Sequence, residues 1–103
     1  MRIDAEGMHF AELDRMVREC PDGEVVIENC VGQRYIAAGL SGKTVTVNGT
    51  PGNALGAYLN GAEIYVNGNA QEATGDTMNG GEIVVGGSVC DAAGYAMRGG
   101  KIF

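Results

Sequence analysis

The sequence predicts an all-β fold: a parallel β-helix of about four coils, about 19 residues each, behind one N-terminal capping α-helix. Two observations carry this. Glycine returns every 19 residues, at Gly23, Gly42, Gly61, Gly80 and Gly99, and two further series, Gly49, Gly68, Gly87 and Gly56, Gly75, Gly94, keep the same beat. Between the glycines, β-branched residues alternate: Val45 and Val47 against Thr44 and Thr46, then Ile64 and Val66, then Ile83 and Val85. Period two with β-branched residues means strand. Identical short strands at constant spacing stack most simply in parallel, about 4.8 Å apart.

The elements follow in chain order. Residues Met1 to Asp4 read as a short extended piece. From Met8 to Cys20 the apolar residues Phe10, Leu13, Met16, Val17 and Cys20 fall on one helical face, with Glu12, Asp14, Arg15, Arg18 and Glu19 opposite. Pro21-Asp22-Gly23 ends the helix. Residues 1–22 thus form a strand and cap, and residues 23–103 the Gly-rich coils of the same single domain. Coil one, Gly23 to Ser41, is irregular. Val25, Ile27 and Gly32 match Val45, Val47 and Gly52 at an offset of 20, yet Leu40 matches Leu59 at 19. One extra residue is therefore expected between about Gln33 and Leu40. Coils two, three and four open at Gly42, Gly61 and Gly80, and their strands are expected to end at Asn48-Gly49 and Asn67-Gly68, pairs suited to positive φ.

Stacking puts Val45, Ile64, Ile83 and Ile102 in one file, Val47, Val66 and Val85 in a second, and Leu40, Leu59, Met78 and Met97 in a third on another wall. Nineteen residues at about 3.3 Å give a perimeter of at most roughly 60 Å, small enough for side chains to fill. The interior is expected to be packed and dry. The glycines Gly42, Gly49, Gly56, Gly61, Gly68, Gly75, Gly80, Gly87, Gly94 and Gly99 are expected to be structural turn residues. The chain ends at Gly99-Gly100-Lys101-Ile102-Phe103 as a fifth coil opens, and an unfinished coil leaves a sheet edge that invites a partner or a second copy.

Seven basic against thirteen acidic residues give a formal charge of −6. That balance argues against nucleic acid and anionic membrane as partners. Three cysteines, Cys20, Cys30 and Cys90, with no close pair and no long apolar run, suit a reducing cytoplasm.

No residue set completes a catalytic or metal site, so none is assigned. His9 stands alone beside Met8 and Phe10, without a partner base or nucleophile. The glycines match neither a Walker loop nor a dinucleotide fingerprint. Glu63 and Glu82 share a coil position with Thr44 and Lys101 and read as a solvated face; Glu72 and Asp91, adjoining Asn53, form a similar file. Asn48 and Asn67 read as an amide ladder. Gln33-Arg34-Tyr35 is the cluster the repeat explains least. It is the candidate partner contact, with Arg34 suited to a carboxylate or phosphate.

At these residues a resemblance enters. The repeat resembles the GXGXG β-helix domains, which include the C-terminal domain of the glutamate synthase large subunit and the β-helix subunit of formylmethanofuran dehydrogenase. Ile3-Asp-Ala-Glu-Gly-Met-His9, Asn29-Cys-Val-Gly-Gln-Arg-Tyr-Ile36, Val66-Asn-Gly-Asn-Ala-Gln71, Met78-Asn-Gly-Gly81 and the stretch from Gly94 to Phe103 look closest to the stand-alone glutamate synthase form. The resemblance implies a right-handed β-helix that serves beside catalytic domains and is inert alone. It places the amidotransferase nucleophile, the flavin (FMN) and the iron–sulfur cluster on partner domains or subunits, with no cofactor in this chain. The expected role is a scaffold in a cytoplasmic glutamate synthase-type oxidoreductase complex for glutamate biosynthesis. A β-helix subunit of formylmethanofuran dehydrogenase or a related one-carbon enzyme, and an independent homo-oligomeric module, are the other readings. The sequence departs from the family pattern at Cys90, which stands where coil two has Gly52, and it ends about halfway through the usual family length.

Overall fold

The computed structural model describes residues 1–71, 74–87, 97 and 99–103. Six strands form one parallel sheet in chain order: β1 (Arg2–Asp4), β2 (Glu24–Val31), β3 (Thr44–Thr50), β4 (Asn60–Asn67), β5 (Gly80–Val85) and β6 (Lys101–Ile102). One helix, α1 (Phe10–Glu19), lies between β1 and β2. Each strand is reached by a full turn of chain, so the molecule is a β-solenoid.

The alternation sets which residues face inward. Val25, Val45, Ile64, Ile83 and Ile102 stack as register partners, and Ile3, Ile27, Val47, Val66 and Val85 form the adjacent file. Ile3 heads the second file, so the solenoid begins at β1 and the extended piece is its first strand. All of these except Val85 and Ile102 are buried. Leu40, Leu59 and Met78 close the core from the opposite wall, with Met97 half-buried beside them. Burying each such side chain contributes about 1.5–3 kcal/mol.

That second wall is built differently from the strands. Left-handed residues recur at every second position: Tyr35, Ala37 and Gly39, then Ala54, Gly56 and Tyr58, then Gly75 and Thr77. Turn bonds such as Ala38 N to Tyr35 O and Ala57 N to Ala54 O fold the wall. Bonds between coils, such as Gly56 N to Ile36 O and Gly75 N to Leu55 O, hold it in step. Small residues there leave room for large ones opposite. A Cβ on Gly56 would meet Ile83 Cδ1 at 2.8 Å and Ile64 Cδ1 at 3.1 Å, and one on Gly75 would meet Ile102 Cδ1 at 2.6 Å. The residue in coil one at the Gly56 position is Ala37, and one step back along the opposing file stand Ile64 and Val45, the second of which has no δ-methyl.

The extra residue of coil one lies elsewhere than expected. Register runs Val25↔Val45 and Ile27↔Val47, then resumes at Cys30↔Gly49. Glu28 and Asn29 therefore face Asn48 together, a β-bulge inside β2 and not an insertion between Gln33 and Leu40. Asn29 takes the left-handed conformation (φ 56°), which asparagine tolerates. Its amide donates to Asp4 Oδ1 at 3.0 Å, and this bond, with the Glu6 N–H, holds the Asp4 carboxyl below its ordinary range. β3 also runs on through Asn48-Gly49 to Thr50, because Gly49 lets the strands come close: its Cβ would sit 2.3 Å from Cys30 O.

α1 begins at His9, whose Nδ1 accepts from Ala11 N at 3.1 Å as an N-cap. Asp14–Arg18 (3.0 Å) and Arg15–Glu19 (3.3 Å) pair along its outer face, and Leu13 and Val17 are buried beneath it. Lys43 Nζ donates to Cys20 O and Asp22 O, closing its C-terminal end. Arg18 also donates to Ala38 O, tying the helix to the second wall of coil one.

Candidate functional site

Gln33-Arg34-Tyr35 sits where coil one turns from its strand into the second wall. Gln33 is buried, and its amide is fully occupied. Nε2 donates to Ala5 O (2.8 Å) and Met8 O (3.1 Å), while Oε1 accepts from Val31 N (2.8 Å) and Cys30 Sγ (3.3 Å). It clips the segment before α1 onto coil one, which leaves Arg34 and Tyr35 as the outward members of the trio.

Phe10, the first residue of α1, joins them. The Arg34 Cζ lies 4.8 Å from the centre of the Phe10 ring, a cation–π contact. Tyr35 tilts against the same ring at 5.8 Å, and His9 stacks on it at 4.5 Å. Tyr35 N donates to Asn53 O and Tyr35 O accepts from Ala38 N, so the backbone of this corner is fixed. Arg34 makes no hydrogen bond and has no carboxylate in ion-pair range among the described residues, whereas Arg2, Arg15 and Arg18 each hold one.

The other sequence-derived positions are placed as follows. Thr44, Glu63, Glu82 and Lys101 are register partners in one outward file, and the Tyr65 hydroxyl donates to Glu63 Oε2 at 3.1 Å. That bond and the Glu63 charge push the Tyr65 hydroxyl's pKa up. Asn67 Nδ2 donates to Asn48 Oδ1 at 2.7 Å, and Asn48 Nδ2 to Glu28 Oε1, giving the amide ladder. Gly80 has neither positive φ nor a close neighbour; β4 bulges where Asn60↔Gly80 gives way to Glu63↔Glu82, so Gly81 (φ 95°) takes up the turn that Gly61 (φ 105°) makes. Gly94, Glu72, Cys90 and Asp91 lie outside the described residues. Among those described, no group of three or more His, Cys, Asp or Glu converges, and no helix is long and apolar enough to cross a membrane.

Cys30 is buried, and burial pushes its thiol up to about 11, against a weaker opposing hydrogen bond from Gln33. Folding thus favours the protonated thiol. This stabilisation is complete below the ordinary thiol value of 9.0 and is lost as pH rises through about 11. Cys30 is expected to resist iodoacetamide near neutral pH and to label fully in urea, read by peptide mass mapping. The native-state midpoint should fall between those two pH values, and Cys30→Ala should flatten that fall.

Sequence reasoning named Gln33, Arg34 and Tyr35 but missed Phe10 and the clipping role of Gln33. Phe10 carried a signal, since it opens the helical face, yet it read as core.

Comparison with known proteins adds the family. A family model described as the GXGXG motif matches residues 23–103. An uncharacterized protein of Methanocaldococcus jannaschii is 44% identical over 60 residues, which is 52% of this chain and 23% of that protein, so the chain spans well under half of that relative's length. No solved structure matches. The match runs from the first strand residues of coil one to the last of β6, over the same glycines that set the solenoid's beat, and the chain belongs to the GXGXG family.

Proposed function

We propose that this chain is a non-catalytic scaffold domain or subunit of a glutamate synthase-type enzyme. The family match across residues 23–103 carries this reading, together with the glutamate synthase-like segments around His9, Gln33 and Met78. The architecture supports it. Two facing walls fill the tube with Val, Ile, Leu and Met side chains, which makes a stiff, close-packed block suited to spacing other domains. Amidotransfer, flavin and iron–sulfur chemistry then belong to the domains it holds, in the cytoplasm.

Affinity-tagged chain expressed in its native cell should co-purify with subunits bearing those activities. Deleting its gene should lower glutamine-dependent glutamate formation in extracts, and the purified chain should show none with glutamine, 2-oxoglutarate and a reduced cofactor. A chain that purifies alone, from cells whose glutamate formation is indifferent to its loss, would end this reading.

A further inference from the structure

The repeat supplies an internal control for the Arg34–Tyr35–Phe10 corner. Among the described residues the second wall repeats one backbone pattern from coil to coil, so residues one coil apart show what the fold itself requires. At the Tyr35 position the next coil has Ala54, with φ 61° against 57°. The wall therefore demands a left-handed residue there but no large side chain. Left-handed conformation is a genuine outlier for a bulky residue, and here the ring is 46% exposed, so it gains little from burial. Tyr58, one coil on, repeats the pattern: it is left-handed at φ 58° and 58% exposed, where its neighbours in file are Gly39 and Thr77. Neither tyrosine is explained by the fold.

Arg34 is the second independent observation. In a chain with thirteen carboxylates to seven basic residues, it makes no ion pair among the described residues. Its guanidinium is instead parked on the Phe10 ring, which positions the group while its N–H edge makes no bond among the described residues. Gln33, with four internal hydrogen bonds, anchors the backbone immediately before it. An exposed, pre-organised pair of arginine and tyrosine is the composition that dominates binding energy at protein interfaces.

We infer that this corner is a docking surface for an acidic segment of a partner protein. An Asp or Glu carboxylate of that segment takes the free edge of Arg34, and an apolar side chain beside it rests on Tyr35. The charge selects a carboxylate-bearing partner, since a planar guanidinium matches a carboxylate with two parallel hydrogen bonds. The open, half-exposed aromatic surface selects a macromolecule, because small-molecule sites are concave and bury most of their ligand. This holds whichever enzyme the chain serves.

The test uses the 15N-labelled full chain and a blocked pentapeptide alternating Glu with Leu and Phe. Amide and Arg34 Nε–H shifts should move at Phe10, Arg34 and Tyr35 on titration. Arg34→Ala should weaken binding at least tenfold, and Arg34→Lys several-fold, because lysine cannot make the paired bonds. Tyr35→Ala should weaken it several-fold without lowering the melting temperature, since Ala54 already occupies the equivalent backbone. The matching Gln peptide should bind at least tenfold more weakly, and raised salt should weaken the Glu peptide. The inference is overturned if no peptide shifts these residues at millimolar concentration, or if binding ignores Arg34→Ala. It is overturned equally if the Gln peptide or free succinate binds as well, or if light scattering shows a dimer that Arg34→Ala dissolves.

Discussion

Replacing Gly56 with Val is expected to cost roughly 2–5 kcal/mol, the sum of a left-handed penalty of about 1–2 kcal/mol and an overpacking penalty of about 1–3 kcal/mol. Both terms come from one place. Gly56 has φ 65°, and its missing Cβ points at Ile83 Cδ1 and Ile64 Cδ1 across the tube. In a domain of this size each kcal/mol shifts the melting temperature by about 4–8 °C, so a fall of about 8–40 °C should be plain in a circular dichroism melt. The two terms can be separated. Gly56→Ala keeps most of the backbone penalty and a smaller clash, and pairing it with Ile83→Val removes the methyl that the new Cβ meets. The double variant should recover part of the loss, by about 1 kcal/mol, as an interaction energy between facing residues. Coil one carries a Cβ at the equivalent place, left-handed and buried Ala37, where one step back along the opposing file stand Ile64 and Val45 and only the first has a δ-methyl. A Gly56→Val protein melting within a degree or two of the parent would mean that the walls are not in contact as described.

The inward files were legible because stacking at one period leaves a trace in composition: Val45, Ile64, Ile83 and Ile102 fall in register as their spacing predicts. The amide ladder of Asn48 and Asn67 was legible for the same reason. The bulge in β2 was not. Val25, Ile27 and Leu40 bracket the extra residue, but nothing in composition says that Asn29 absorbs it, since asparagine is an ordinary turn residue. The second wall was hidden more deeply. Its left-handed positions are filled by Tyr, Ala, Gly and Thr in different coils, so only the glycines announced themselves, and tertiary bonds between coils impose the conformation on the rest. The Gly80–Gly81 pair shows the limit of counting. Periodicity selects Gly80, whereas the bulge opposite it hands the turn to Gly81. For the candidate site, the sequence marked the corner as an irregularity, but the division of labour within it depended on burial: Gln33 faces inward to the N-terminal segment, and Arg34 and Tyr35 face outward onto Phe10.

Gln33 should be the most sensitive polar residue among those described. Gln33→Leu conserves approximate volume while leaving Met8 O, Val31 N and the Cys30 thiol without the Gln33 partner, and Ala5 O with only the Met8 N–H. Cys30 and the Ala5 backbone are buried, so water cannot readily replace the amide at the thiol or at the second lone pair of Ala5 O. An unsatisfied buried group costs about 1–3 kcal/mol, and with partial relaxation of the more exposed partners a total loss of roughly 2–4 kcal/mol is expected. The location of the damage distinguishes this from a general loss of stability. Gln33 joins the segment before α1 to coil one, so hydrogen exchange at Leu13, Val17 and Cys20 should quicken more than at the core of β3 and β4, where Val45, Val47, Ile64 and Val66 pair directly. Gln33→Glu should be at least as damaging. It keeps an acceptor for Val31 N but loses both donors, turning a carboxylate toward the carbonyls of Ala5 and Met8. Unchanged exchange in α1 together with an unchanged melt in Gln33→Leu would show that the amide is not what holds the cap to the solenoid. If the exchange rises in α1 alone, the cap behaves as a separate cooperative unit whose opening is set by one side chain, and the docking corner built on Phe10 would open with it.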